Sequence, residues 1–264
     1  MKKIIALVGS SHKGGATYTA AHRFLDALDA FGDVQSEIVV LSDYDIHTCR
    51  GCKACFERGE EHCPLKDDRD ALIEKINASD AVVFASPNYS FQVSAFMKIF
   101  LDRLGFLFHR PHFHGKTSTS IVVFGIYGAR KIAKYLDFVG GGLGFHVVKG
   151  SCIRTLEPMT EKAIGKMNRT LAKQSRRFHA RLLRPTNSAP SLIGLMAFRI
   201  GRTRIRLMLG EGSRDHVYYR DHGWFESDYY YPTHLGPFKK AVGAIFDWVA
   251  ALGQTKSSSP ESSQ

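Results

Sequence analysis

The stretch C-R-G-C-K-A-C-F-E-R-G-E-E-H-C-P, from Cys49 to Pro64, holds four of the chain's five cysteines within fifteen residues. Thiolates bind soft metals and carry redox chemistry, and their spacing restricts which. Cys49, Cys52, Cys55 and Cys63 read C-x2-C-x2-C-x7-C-P. A [4Fe–4S] cluster is held by thiolates with two such short gaps and a proline after a later cysteine. Gly51 and Gly59 supply the bends that wrapping one corner of a cube requires. Four thiolates also suit zinc, although structural zinc sites more usually pair two C-x2-C knuckles. Thiols without metal, open to oxidation, are the third reading. Cys152 stands apart and reads as a small apolar residue.

A second group of residues suits an anion. G-S-S-H-K-G-G-A-T-Y-T runs from Gly9 to Thr19 directly after an apolar run. Lys13 precedes the glycine pair, so this is not the phosphate loop of a nucleoside triphosphatase. Backbone N–H groups at a helix start, with Ser and Thr hydroxyls, still converge on a phosphate. S-P-N-Y-S-F-Q-V-S-A-F-M-K-I-F-L-D-R, residues 86–103, puts a proline and an aromatic where a planar ring would find a rigid wall. F-G-I-Y-G-A-R, residues 124–130, offers close backbone approach at Gly125 and Gly128 and a second aromatic at Tyr127. His109, His112 and His114 read as a surface loop, with a place at the edge of a bound ring as the alternative. Asp67 and Asp68 read as caps of the helix that follows, stabilising its start by roughly 1 kcal/mol.

The elements that position these residues alternate. I-I-A-L-V-G (4–9), S-E-I-V-V-L (36–41), A-V-V-F-A-S (81–86), S-I-V-V-F-G (120–125) and F-H-V-V-K-G (145–150) read as strands. Continuous apolar runs of this kind belong to parallel strands covered on both faces. Helices are predicted from about Thr17 to Ala30, from about Asp68, and from about Val93 to Phe108. The pattern predicts a doubly wound five-stranded parallel sheet, with ligands at the carboxyl ends of its strands. Ile164, Met167, Leu171, Phe178 and Leu182 predict one more long amphipathic helix. The expected organisation is one domain over 1–183, an aromatic-rich helical extension over 184–252 that packs across a two-fold interface, and a disordered tail over 253–264.

Charge is uneven. The net charge is +11, and twelve basic residues lie between Glu161 and Glu211 with no acidic one among them. Such a stripe attracts anions. No apolar run approaches the ~20 residues of a membrane span. The six-residue apolar run after Met-Lys-Lys is shorter than the roughly 7–15 of a signal peptide, so a cytoplasmic protein is expected.

In this order, the Gly9–Thr17 loop, the cysteine stretch with its following C-P-L-K-D-D, and the 86–103 segment resemble the flavodoxin-like NAD(P)H-dependent FMN reductases. They are most similar to the branch that includes the iron–sulfur flavoproteins. The resemblance spans roughly residues 1–180 and implies noncovalent FMN, with NAD(P)H as electron donor. It places the FMN phosphate on Ser10, His12, Gly15, Ala16 and Thr17. It places the isoalloxazine against Pro87, Asn88, Tyr89 and Ser90, with Gly125, Tyr127 and Gly128 on the other flank. It also implies that Cys49, Cys52, Cys55 and Cys63 hold a [4Fe–4S] cluster beside the flavin, although many relatives keep cysteines here without metal. The family often has arginine where His12 stands and asparagine where Ala16 stands. The activity implied is transfer of reducing equivalents to a quinone, flavin or protein acceptor by a homo-oligomer, with no catalytic side chain needed. The alternative is a non-enzymatic FMN and iron–sulfur electron carrier. Only the basic stretch speaks for a membrane-surface module, and nucleic acid is not an expected partner.

Overall fold

The computed structural model of the chain describes residues 1–255; most of the expected tail lies outside them. The chain forms two compact units. Met1–Gly51 and Leu65–Thr186 make the first, and Cys52–Pro64 with the residues from Asn187 onward make the second.

In chain order the elements are β1 (Lys2–Val8), α1 (Ala16–Asp29), β2 (Val34–Val40), the short α2 (Ala54–Glu57), α3 (Arg69–Asn77), β3 (Ala81–Pro87), α4 (Ala95–Arg103), β4 (Thr117–Phe124) and α5 (Ala129–Gly142). Then come β5 (His146–Val147), β6 (Ser151–Arg154), α6 (Glu161–Leu182), α7 (Leu192–Met208), α8 (Arg214–Asp221) and α9 (Pro237–Thr255).

The first unit is a parallel sheet in the order β2-β1-β3-β4-β5, with β6 also pairing β4. This is the flavodoxin-like order. Ile4, Ala6, Val8, Ala81, Val83, Ala85, Ile121 and Val123 turn to one face and pack with Phe24 and Leu28 of α1 and Met167, Leu171 and Phe178 of α6. The alternate residues Ile5, Leu7, Val82, Phe84 and Val122 are also buried. With both faces covered, β1 and β3 are apolar at nearly every position and read as continuous runs, whereas the first half of β4 buries Thr117, Ser118, Thr119 and Ser120.

The fifth strand differs from the expected 145–150. His146 pairs beside Thr117, and Ser151 beside Ile121, so one edge strand is split around Gly150. Asp137 of α5 causes the interruption: its carboxylate accepts the Gly150 N–H at 3.2 Å and the Ser120 hydroxyl at 2.9 Å. A Cβ at Gly150 would overlap Ser120 Oγ, so only glycine lets the chain pass there.

In the second unit, Phe198, Tyr219, Trp224 and Phe225 form the core, with Tyr229 and Tyr230 against it. Arg199 is buried and bonds Asp228 at 2.5 Å and Asp247 at 2.9 Å, and Arg202 bonds Asp247 at 2.6 Å. Two cations of the basic stripe are therefore neutralised by carboxylates of their own unit. Lys162, Lys166, Arg169, Lys173 and Arg176, all exposed on α6, remain as its cationic face. Among the described residues no helix is long and apolar enough to cross a membrane.

Candidate functional site

The strand order reverses between β1 and β3, and the crevice at their carboxyl ends is where ligands of such sheets bind. The loop after β1 enters α1 with Gly15 as the cap residue, extended at φ −77° and ψ 171°, and no side chain caps the helix. Its first-turn N–H groups thus have no side-chain acceptor, the arrangement that receives an anion. Ser10 and Thr17 are buried at this turn, His12 is exposed, and Ala16 opens the helix. A Cβ at Gly15 would sit 2.6 Å from His12 Cδ2 and 3.2 Å from His12 O, so the loop closes tightly there. Lys13 turns aside to an ion pair with Asp43 at 2.9 Å.

The loop after β3 approaches the loop after β1. The Gly9 N–H donates to Ala85 O at 2.8 Å, and a Cβ on Gly9 would come within 2.6 Å of Ser94 Oγ. Beyond Pro87, Tyr89 and Gln92 exchange backbone bonds of 3.1 and 2.9 Å around a two-residue turn. Both central residues, Ser90 (φ 48°) and Phe91 (φ 61°), are left-handed without being glycine. Each such residue costs roughly 1–2 kcal/mol, and strain of this sort collects at ligand sites.

Asn88 joins this turn to the loop after β4. Its Nδ2 donates to Tyr127 O at 2.8 Å, while its Oδ1 is buried without a hydrogen-bond partner. A buried acceptor left unpaired costs about 1–3 kcal/mol, and a ligand N–H would remove that cost. Phe91 stacks on Tyr127 at 5.0 Å, and both rings are more than half exposed. Gly128 is left-handed at φ 96°, and a Cβ there would meet Phe91 at 2.9 Å. Gly125 lies beside Leu156. The structure thus gathers the predicted residues of all three loops along one edge of the sheet. Phe91 escaped the sequence reading, because an aromatic in a two-residue turn carries no turn signal.

The cysteines divide differently. Cys49 belongs to the first unit, and Cys52, Cys55 and Cys63 to the second. Cys49 and Cys52 are exposed, and the other two are half-buried. Gly51, Lys53 and Gly59 all have positive φ, and the Gly51 N–H lies 3.5 Å from Cys49 Sγ. The donor set has the chemistry of a thiolate metal site. Among the described residues, however, no three His, Cys, Asp or Glu side chains are gathered closely enough to hold a metal.

The base of the cysteine excursion is pinned within the first unit. Asp67 and Arg103 form an ion pair with side chains 1% and 2% exposed. Asp67 also accepts the His47 N–H at 3.0 Å, and Arg103 donates to His47 O at 3.1 Å. Burial opposes ionisation of Asp67, but bonds from His47, Arg103 and Arg69 together hold its carboxyl below its ordinary value. Asp68 stands at the cap position of α3 without capping it; its carboxylate takes the Asp45 N–H at 2.7 Å. Asp67 does bond the first N–H of α3, that of Arg69, at 3.2 Å, while also locking the loop; Asp68 serves the loop alone.

His109, His112 and His114 precede Thr117, the first residue of β4. They therefore lie at the amino edge of the parallel sheet, opposite the three loops, and not beside a ring bound there.

Residues 2–154 match the NADPH-dependent FMN reductase family. The chain is 35% identical over 158 residues to an iron-sulfur flavoprotein of Archaeoglobus fulgidus, covering 56% of this chain and 70% of that one. It is 34% identical to an iron-sulfur flavoprotein of Methanocaldococcus jannaschii, over 38% of this chain and 51% of the relative. Among solved structures, RosB matches across 100% of this chain and 90% of its own, with a TM-score of 0.56 at 15% identity. An azoreductase of Bacillus anthracis matches 67% of this chain and all of its own, with a TM-score of 0.51 at 14% identity. Such distant likenesses speak to the fold, and the family match carries the rest: the chain is an oxidoreductase belonging to the NADPH-dependent FMN reductase family.

Proposed function

We propose that the three carboxyl-edge loops of the first unit bind FMN noncovalently, and that the protein passes reducing equivalents from NADPH or NADH to a quinone, flavin or protein acceptor. The observation that carries this reading is that the paired strands β1 and β3 lead into an uncapped α1 start and into the unpaired, buried Asn88 Oδ1 at the strained Ser90–Phe91 turn. Bound FMN supplies the redox chemistry, and the protein supplies position and surroundings. The α1 N–H groups, with the Ser10 and Thr17 hydroxyls, hold the phosphate beside His12, Gly15 and Ala16. Pro87, Asn88, Tyr89 and Ser90 flank the ring on one side, with Gly125, Tyr127 and Gly128 on the other. Asn88 Oδ1 accepts from it, and the exposed Phe91 and Tyr127 rings exclude water at its rim.

Replacing Thr17 by Ala should weaken FMN binding by about 1 kcal/mol or more, the worth of a hydrogen bond to a charged group. Fluorescence titration of FMN reads this directly. Steady NADPH or NADH oxidation with a quinone supports the enzyme; negligible turnover alongside rapid exchange with protein partners favours the electron carrier.

The relatives named iron-sulfur flavoproteins, and the cysteine spacing, support a [4Fe–4S] cluster on Cys49, Cys52, Cys55 and Cys63. Binding would require the loop to draw its thiols together. Protein prepared without oxygen should then contain about four iron atoms per chain, as this cluster type requires. Cys52→Ser should lose most of the iron and keep FMN. Iron-free protein whose four thiols all react with a thiol reagent would contradict the cluster.

The second unit supports a homo-oligomer. Phe238, Ala241, Ile245, Trp248 and Leu252 are all exposed along α9. Their alternating spacing of three and four is the seam that helices of two copies share. Sedimentation should show a dimer at micromolar concentration, and Ile245→Asp with Trp248→Asp should give a monomer that still binds FMN.

A further inference from the structure

Between β6, residues 155–160 and the first half of α6 lies a cavity of about 420 Å³. This is within the range of roughly 300–1,000 Å³ found for small-ligand sites. Phe124, Ile153, Leu156, Pro158 and Met167 give it apolar walls. Arg154 and Lys166 also line it, and neither forms an ion pair among the described residues. Arg154 Nε donates to Gly125 O at 3.0 Å. That bond fixes the guanidinium and leaves its terminal N–H groups for another acceptor. The start of α6 is already capped, since the Thr160 hydroxyl accepts the Ala163 N–H at 3.2 Å, so the two cations carry the attraction for an anion. Cys152 lines the same wall, and burial pushes its thiol pKa up, which keeps it neutral and compatible with an apolar ligand.

Apolar walls joined by two cations select a specific chemistry. A phosphate alone would leave the walls uncovered, and a neutral hydrocarbon would leave Arg154 and Lys166 unmatched. We propose that this cavity binds a small ligand with a flat apolar body and one acidic group, of the class of aromatic carboxylates and sulfonates. It is a second site, distinct from the loops assigned to FMN. It meets them through the Arg154–Gly125 bond and the contact of Leu156 with Gly125.

The test compares 1-naphthoate with its neutral isostere naphthalene-1-carboxamide on the FMN-loaded protein by calorimetry. The carboxylate should bind once per chain and about tenfold more tightly, because hydrogen bonds to an ionised acceptor are roughly twice as strong as neutral ones. Lys166→Gln should narrow that difference while FMN binding stays unchanged. Thr170→Phe, which fills the cavity from α6, should remove binding of both compounds. Equal binding of the two compounds by the wild-type protein would overturn the proposal, whatever the variants do. Undiminished naphthoate binding by a folded Thr170→Phe protein would also overturn it. The source of the natural ligand follows from kinetics: inhibition by 1-naphthoate competitive with the acceptor marks an acceptor site, and noncompetitive inhibition marks an effector site. Both patterns support the cavity as a ligand site.

Discussion

Arg103→Met should destabilise the first unit by about 3–5 kcal/mol, the loss that follows when one partner of a buried ion pair is removed. Asp67, 1% exposed, would be left as a buried carboxylate held only by backbone N–H groups. Adding Asp67→Leu should recover much of the loss, because replacing both charges by apolar groups removes the desolvation cost along with the attraction. The pH dependence has a definite sign. The folded-state pKa of Asp67 lies below its unfolded value, so the stabilisation is complete above about pH 4–5 and disappears as pH falls through the folded pKa. Denaturant unfolding at pH 7 and pH 3 should therefore show the wild-type and Arg103→Met stabilities converging in acid.

The second large effect belongs to His114 and has the opposite origin. Burial pushes its pKa down to about 4, with smaller contributions from His146 and His112. The unfolded chain takes up this proton near pH 6.5, while the folded protein resists until about pH 4. Stability should consequently fall by about 3 kcal/mol as pH drops from 6.5 to 4, and level off below that for this group. His146, also lowered by burial, contributes to the loss in the same direction below pH 6.5. His114→Gln should flatten the curve between pH 6.5 and 4 and leave the Asp67 transition below it in place. A wild-type stability independent of pH across this window would contradict the burial of a neutral imidazole.

The sheet was legible because burial on both faces turns its strands into unbroken apolar runs, as in Ile4–Val8 and Ala81–Ala85. The three loops were legible for a related reason. Small residues follow the apolar runs at points where the chain must bend and leave backbone N–H groups open. The split last strand was not legible. Its cause is a carboxylate on a neighbouring helix, Asp137, that reaches Gly150. No helix was expected where α5 lies; its last turn contains Gly140, Gly141 and Gly142, which are poor helix formers. A Cβ at Gly140 would come within 2.6 Å of Ser118 Oγ, so the glycine there serves close packing of helix on sheet.

Other parts of the site depend on partners far apart in the chain. The Asp67–Arg103 lock joins residues 36 apart, and the Asn88–Tyr127 link residues 39 apart. No local pattern announces either. The basic stripe shows the converse limit. Its cations look alike in sequence, yet Arg199 and Arg202 are neutralised by Asp228 and Asp247, while Lys166 and its neighbours on α6 remain exposed.

The most direct test of the account is equilibrium titration of flavin-free protein with FMN, followed by quenching of flavin fluorescence. Saturation is expected at one FMN per chain in the micromolar range or tighter, with riboflavin, which lacks the phosphate, binding far more weakly. No saturable FMN binding, or equal affinity for FMN and riboflavin, would contradict the assignment of the α1 start and the Asn88 turn to the cofactor.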